Sequence, residues 1–270
     1  MAGGQNHSGI NMTIQRGRQI IGTMALPGGQ LAPANRSGTI RISNQAGRDF
    51  INGSDSVNIP IGANASMMYT VTVPDDPGQT WVARYSRCAC CENNGFLGEG
   101  YYTASGSYRQ DDASGMAGGQ NHNDIDLTLL PAKTISGTVS LPAGHTANEE
   151  LEISVRVTED RLSPSPWLGP FVFGGYGDSD NGSIPMGGSN VMYGLVIPDD
   201  PAFHGTVRFE CFNFSAGQNR CDDWVNTYAS SGFYRSGGTT YIRDQATHLA
   251  GGQNHANINM SLVEGRTISG

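Results

Sequence analysis

Lysine is nearly missing from this sequence: of sixteen cationic residues in 270, only Lys133 is a lysine. An internal isopeptide bond in each of several cores needs a lysine in each, so that cross-link is excluded. Charge of either sign is sparse, 15% of residues with a net charge of −8. A nucleic-acid partner is therefore excluded, because no basic stripe exists to displace counterions. No run of about 18 apolar residues occurs, hence no apolar membrane span is expected. Helical periodicity is absent from every segment of ten or more residues, which points to strands. No nucleophile stands with an orienting base. Cys88, Cys90 and Cys91 lack a nearby His or second Cys pair to complete a zinc set. The reading is therefore no enzyme, no catalytic residue, no cofactor and no metal.

What is present is a phrase used three times. Met-Ala-Gly-Gly-Gln-Asn-His opens at Met1 and again at Met116, and Leu249 begins a third copy with Leu in place of Met. Each phrase has a tail in which apolar residues alternate: Ile10, Met12 and Ile14; Ile125, Leu127 and Leu129; Ile258, Met260 and Leu262. A period of two with one apolar face marks a half-buried strand, and Gly-Gly-Gln-Asn-His is turn chemistry. A second phrase recurs as Ile21-Gly-Thr-Met-Ala-Leu-Pro27 and Ile135-Ser-Gly-Thr-Val-Ser-Leu-Pro142, and begins again at Ile268-Ser-Gly270. Its glycines, Gly22, Gly137 and Gly270, lie 115 and 133 residues apart. That spacing suits a whole small domain and is too long for a solenoid repeat of about 20–50 residues.

The organisation expected is a final strand of a preceding or neighbouring domain over 1–15, repeats over 16–133 and 134–265, and the start of a further repeat at 266–270. Met1 falls where the phrase already takes an apolar residue, so the sequence reads as a window in a longer chain, with any export signal outside it. Strands are expected at Ile20–Leu26, Ser37–Ile42, Ser56–Ile61, Met68–Val73, Thr80–Tyr85, Gly100–Thr103 and Ile125–Leu130. The second repeat repeats them at Ile135–Leu141, Leu151–Val157, Ser183–Pro185, Val191–Ile197, Thr206–Phe212, Gly232–Tyr234, Thr239–Ile242 and Ile258–Val263. The best place for a single helical turn is Ala113–Ala117. Leu130-Pro-Ala-Lys-Thr134 is a short, proline-containing link that restrains the two repeats.

Several residue groups invite a chemical reading. Cys211 and Cys221 enclose one loop and fit a staple formed in an oxidising compartment, stabilising by about 2–3 kcal/mol. The insertion Leu162–Tyr176 carries Trp167, Phe171, Phe173 and Tyr176, either folded over its own core or packed on a neighbour. His7, His122 and His255 sit in the repeated turn and read as structural. Asp75-Asp76 and Asp199-Asp200 lie between prolines and read as turns. Asp178-Ser-Asp-Asn-Gly182 resembles part of a calcium loop but lacks its distal glutamate, so a turn is preferred. Asn11, Asn35, Asn52, Asn64, Asn181, Asn213 and Asn259 begin N-glycosylation sequons.

Ile-Ser-Gly-Thr-Val-Ser-Leu-Pro, an apolar-Tyr strand ending in Pro, Thr-Val-Arg-Phe-Glu-Cys-Phe, Gly-Phe-Tyr and the closing alternating strand together resemble the carboxypeptidase regulatory-like, transthyretin-type (Ig-like) β-sandwich of bacterial surface proteins. The resemblance covers nearly the whole chain, twice. It implies an all-β chain of two tandem sandwiches, and an accessory or surface-array module in place of a catalytic one. The function expected is structural: a repeat segment of an extracellular filament or cell-surface fibre. Its partner would be a further copy of itself, joined head-to-tail by strand complementation through Ile10, Met12 and Ile14 or by covalent continuation. The alternative is a carbohydrate- or surface-binding adhesion module using Trp81, Trp167 or Trp224, with glycans as partners.

Overall fold

A computed structural model describes residues 16–44, 51–86, 95–160, 176–211 and 231–264. The described chain is all β, apart from short 3-10 turns such as Gln110–Asp112 and Arg243–Gln245. The strands are β1 (Gly17–Gly22), β2 (Met24–Ala25), β3 (Arg36–Asn44), β4 (Ile51–Ile59), β5 (Tyr69–Pro74), β6 (Thr80–Ser86), β7 (Glu99–Tyr101), β8 (Met116–Ala117) and β9 (Leu127–Thr128). They continue as β10 (Ala132–Ser140), β11 (Leu151–Glu159), β12 (Gly177–Ile184), β13 (Asn190–Pro198), β14 (His204–Cys211), β15 (Ser231–Arg235), β16 (Gly238–Thr240), β17 (His248–Ala250) and β18 (Met260–Ser261).

The same wiring occurs twice. In the first half one sheet runs β4-β3-β6-β7, with β8 beside β6; facing it, β1 pairs antiparallel with β5, and β2 pairs parallel with β9. In the second half β12-β11-β14-β15-β16, with β17 beside β14, faces β13-β10-β18. Again the opening strand is antiparallel to one neighbour and parallel to the closing strand. Alternation explains the cores. Tyr69, Val71 and Val73 on β5 are buried while Thr70, Thr72 and Pro74 are exposed. Leu151, Ile153, Val155 and Val157 point inward from β11.

The repeated phrase is a clasp on the opening strand. Gly118 and Gly251 press so closely on Asp76 and Asp200 that an added Cβ would lie 1.9 and 2.3 Å from their carbonyl oxygens. Asn121 Oδ1 accepts from the Gln19 N–H and Asn254 Oδ1 from the Thr134 N–H, both at 3.0 Å. His122 and His255 place Nε2 2.7 and 2.8 Å from the carbonyls of Ala117 and Ala250, tying the turn to itself. Asp124 and Asn257 then take φ of +59° and +60°, a conformation Asn and Asp tolerate better than most residues. Gly9 occupies the aligned place in the first copy.

Beyond that kink the closing strand meets the opening glycine. An added Cβ on Gly22 or Gly137 would lie 2.1 Å from the carbonyl oxygen of Ile125 or Ile258. The Tyr69 hydroxyl donates to the Ile125 carbonyl at 2.6 Å, and Tyr193 to the Ile258 carbonyl at 2.5 Å. The closing strands cover Leu127–Thr128 and Met260–Ser261, shorter than the expected Ile125–Leu130 and Ile258–Val263.

Other expectations need correction. Asp178–Gly182 is no turn: it lies inside β12, which extends well beyond the expected Ser183–Pro185. Its alternate carboxylates reach across to the other sheet. Asp178 Oδ2 accepts from the Val196 N–H and Asp180 Oδ2 from the Gly194 N–H, both at 2.8 Å. Asp55 on β4 does the same for the Thr70 N–H at 3.0 Å. These acceptors satisfy the outward amides of edge strands β13 and β5, which would otherwise invite pairing. The helical turn expected at 113–117 forms instead at Gln110–Asp112, and Met116–Ala117 is strand β8.

Two tests follow from these contacts. Tyr193→Phe removes the donor to a buried carbonyl and is expected to cost about 1–3 kcal/mol, while Gly137→Ala costs more because the strands must separate; urea unfolding midpoints measure both. Burial raises the phenol pKa of Tyr69, Tyr85, Tyr108 and Tyr193 above the ordinary 10.0. Their folded values exceed their unfolded ones. What these phenols contribute to stability is therefore fully present below pH 10.0 and is lost as pH rises past it. An alkaline titration should show phenolate absorbance appearing together with loss of the β-sheet circular dichroism signal.

Candidate functional site: the junction between the sandwiches

The most elaborate polar arrangement in the described chain lies where the first sandwich meets the second. The link between them is knitted on both sides. Pro131 bridges to Phe96. The Leu97 N–H donates to the Leu130 carbonyl at 2.9 Å, and the Ala132 N–H to the Gly95 carbonyl at 2.8 Å. On the far side Asp199 N–H donates to the Pro131 carbonyl at 3.2 Å, and Lys133 Nζ lies 3.1 Å from the Asp199 carboxylate. Arg18 and Asp75 form the matching pair at 2.9 Å in the first sandwich.

Two adjacent side chains then cross over. Ser107 Oγ accepts from the Arg109 N–H and donates to Asp112 Oδ2, both at 3.0 Å, which fixes the start of the 3-10 turn. That turn aims Tyr108 and Arg109 at the second sandwich. The ring of Tyr108 meets Tyr176 and Phe203 edge to face, each with centroids 6.2 Å apart, and those two rings meet each other at 6.0 Å. Its hydroxyl donates to Asp200 Oδ2 at 2.9 Å, while Asp200 Oδ1 holds its own turn through the Ala202 N–H at 2.8 Å. Burial, and next that carboxylate, push the Tyr108 phenol pKa up, so it remains a donor at neutral pH. Leu97 and Tyr108 thereby join the hydrophobic cluster of the second sandwich, with Leu130 packed against it.

Arg109 supplies the charged half. Its Nε and Nη2 donate to Oε1 of Glu159 at 2.9 and 2.7 Å, and its guanidinium also sits 4.8 Å from the Tyr108 ring centroid. Glu159 is only 4% exposed, and its second oxygen accepts from the Tyr176 N–H at 3.2 Å. A carboxylate so buried is tolerable only with partners on both oxygens, and two of them are brought by a segment from the other sandwich.

Among the residues singled out from sequence, Tyr176 lies in this junction, buried, with its hydroxyl donating to the Val196 carbonyl at 3.1 Å. Trp167, Phe171 and Phe173 lie outside the described residues, as do Ile10, Met12, Ile14, Asn11, Asn213, the side chain of Asn52 and residues 266–270. Cys211 is fully buried at the end of β14; Cys88, Cys90, Cys91 and Cys221 lie outside. Asn35, Asn64, Asn181 and Asn259 are exposed. Asn35 Oδ1 accepts from the Ile61 N–H and Asn259 Oδ1 from the Thr138 N–H and hydroxyl. Trp81 is 2% exposed and offers no ring face to a glycan.

Tyr108, Arg109 and Glu159 escaped the sequence reading. A signal for Glu159 was present. It extends the inward series Leu151, Ile153, Val155, Val157 by one step, so it puts a carboxylate at a core-facing place. Beside the junction an open cleft of about 520 Å³ is lined by Arg41, Arg84 and Arg156 together with Glu99 and Asp178. Burial raises the Glu99 pKa, and Arg84 partly offsets it. Among the described residues no group of three or more His, Cys, Asp or Glu could hold a metal ion, and no helix is long and apolar enough to cross a membrane.

No known protein family matches this sequence, nor does any curated protein. Among solved structures, the minor pilin GBS52 of Streptococcus agalactiae is similar at 8% identity and a TM-score of 0.29, covering 94% of this chain and 98% of its own. A cell adhesion protein of Parabacteroides distasonis, so described provisionally, gives 8%, 0.26, and coverages of 80% and 79%. A leucine-rich repeat protein of Bacteroides thetaiotaomicron gives 10% and 0.28; the match takes in 93% of this chain but spans 27% of that one. TM-scores this low leave any functional conclusion to the residues themselves.

The Arg109–Glu159 pair is open to a double-mutant cycle. Glu159→Ala alone strands the Tyr176 amide and the guanidinium and is expected to cost about 2–4 kcal/mol, Arg109 being partly solvated. The double variant Arg109→Met/Glu159→Met should recover much of that. Losses of the Arg109→Met and Glu159→Met single variants that simply add up to the loss of the double would show that the pair is not coupled.

Proposed function

We propose that the chain is a structural segment of an extracellular or cell-surface protein, its tandem β-sandwich repeats held in line by stiff junctions. One observation carries this reading: the hydrophobic cluster of the second sandwich includes Leu97 and Tyr108 from the first. Relative motion is the default between domains unless their contact is apolar and extensive. A stalk or fibre is served by the loss of that motion.

In the finer reading, residues 16–133 and 134–265 are successive repeats, 1–15 is the closing strand of another sandwich, and 266–270 opens a further one. The two described copies of the phrase support the assignment of the first. Each ends in a strand that lies parallel to the opening strand of its own sandwich. The sandwich after residue 15 already has β9 in that place, so Ile10, Met12 and Ile14 suit a different one. That sandwich belongs either to the same polypeptide or to a neighbouring molecule completed by strand addition; both give a linear, head-to-tail array, and the second makes it a homopolymer. A Cys211–Cys221 bridge and glycans on exposed sequons such as Asn64 and Asn181 belong to the same extracellular reading.

A second reading, an adhesion module for carbohydrate or a surface, has the arginine-lined cleft in its favour. Saturable binding of an anionic polysaccharide that disappears in Arg84→Ala would favour it.

Small-angle scattering and electron microscopy of the purified chain test the structural reading. A fixed angle between sandwiches, and end-to-end particles, are expected. Freely hinged dumbbells would sink the stiff-junction idea, and dispersed monomers with residues 1–15 folded on their own sandwich would sink strand exchange.

A further inference from the structure

The 3-10 turn by which the first sandwich grips the second recurs, with the same pattern of hydrogen bonds inside the turn, at the far end of the second. Tyr241 and Ile242 precede the 3-10 turn Arg243–Gln245 as Tyr108 and Arg109 precede Gln110–Asp112. Thr240 Oγ1 accepts from the Ile242 N–H and donates to Gln245 Oε1, both at 3.2 Å, just as Ser107 serves Arg109 and Asp112. The Ala246 N–H closes the turn on the Arg243 carbonyl as Ala113 closes on Gln110. Val263 follows Leu262 as Leu130 follows Leu129, each preceding residue donating to the opening strand, at Ser140 and Ala25.

The difference is exposure. Tyr108 is 8% exposed beneath the second sandwich, whereas Tyr241 is 44%, Ile242 55% and Val263 44% exposed. We infer that this face is a docking surface, and that its occupant is a further repeat of this fold, seated as the second sandwich is on the first. This rests on the tandem-repeat reading and adds the surface and the kind of repeat it takes. Arg266-Thr-Ile-Ser-Gly270 spells the opening phrase again, at the distance from Val263 at which Lys133-Thr-Ile-Ser-Gly137 follows Leu130.

The side chains also specify which repeat fits. In the described junction Arg109 meets the buried carboxylate of Glu159. On the exposed face the arginine position holds Ile242, which cannot satisfy a carboxylate. The matching repeat therefore lacks an acid at the Glu159 position. The first repeat is of that kind. Asn44 on β3 stands opposite Trp81 as Glu159 on β11 stands opposite Gly205, so Asn44 occupies the corresponding register. Its Asp76 holds the same turn as Asp200, Oδ1 accepting from the Gly78 N–H at 2.9 Å, and is placed to receive a tyrosine hydroxyl. Junctions then alternate between an arginine–glutamate kind and an isoleucine–asparagine kind.

The test extends the full chain. Residues 1–270 are followed in one protein by a copy of 23–131, in another by a copy of 138–264. Tetranitromethane nitration of Tyr241 is read by peptide mass spectrometry, with Tyr108 as the buried reference in the same molecule. The first-repeat extension is expected to slow Tyr241 nitration about fivefold, the ratio of 44% to 8% exposure. The second-repeat extension should protect it less, and Ile242→Arg should restore protection there alone. Tyr241 nitrated equally fast in extended and unextended chains, with Tyr108 still protected, would overturn the docking surface while leaving the tandem reading intact. Equal protection by both extensions would overturn the charge matching. Tyr108 reactive in every chain would instead sink the stiff junction itself.

Discussion

One carbonyl in each sandwich fixes the rest. The oxygens of Ile125 and Ile258 sit against glycines of the opening strand and accept a tyrosine hydroxyl from its other neighbour. Three strands are thereby tied at a point: the opening strand, the tyrosine-bearing strand (β5 or β13) and the closing strand. Any side chain at Gly22 or Gly137 would push the closing strand away, and with it the inward residues Leu127 and Met260. The clasp formed by the Gly-Gly-Gln-Asn-His turn serves the same end. Its asparagine holds an amide of the opening strand and its histidine holds the turn's own backbone, so the kink at Asp124 or Asn257 delivers the isoleucine carbonyl to its place.

The second constraint is electrostatic and acts between sandwiches. Acidic groups outnumber basic ones in this chain, 24 to 16. Many of the acids are occupied by backbone amides: Asp55, Asp178 and Asp180 cap edge strands, and Asp76 and Asp200 hold turns. Glu159 instead draws in a residue from outside its own sandwich. The junction's aromatic contacts supply burial, and the Arg109–Glu159 pair supplies register, since a guanidinium gains from one orientation only.

Much of the architecture was legible because it repeats. The two-residue period gave the strands, and the phrase shared by Met116 and Leu249 gave the closing turn. The roles of Gly22 and Asp76 follow from needs that any sandwich of this wiring has. What stayed hidden was whatever differs between copies. Asp178-Ser-Asp-Asn-Gly182 has the composition of a turn, and only pairing with β11 makes it a strand, its carboxylates turned to the exposed amides of β13. Tyr108 and Arg109 sit in a polar loop with no period to betray them. The copies differ at these places: where the first has Arg109 the second has Ile242, and where the second has Glu159 the first has Asn44.

The parallel pairing of first and last strands has a mechanical consequence. The chain enters each sandwich at one pole of that pair and leaves at the opposite pole. Tension along the polypeptide therefore slides the two strands past each other. In the second sandwich it loads the bonds from His255 to Thr134, Ser136 to His255, Ile258 to Ser136 and Leu262 to Ser140 together, in shear. A hairpin pulled from its open end would surrender such bonds singly. This wiring makes them bear the load as a group.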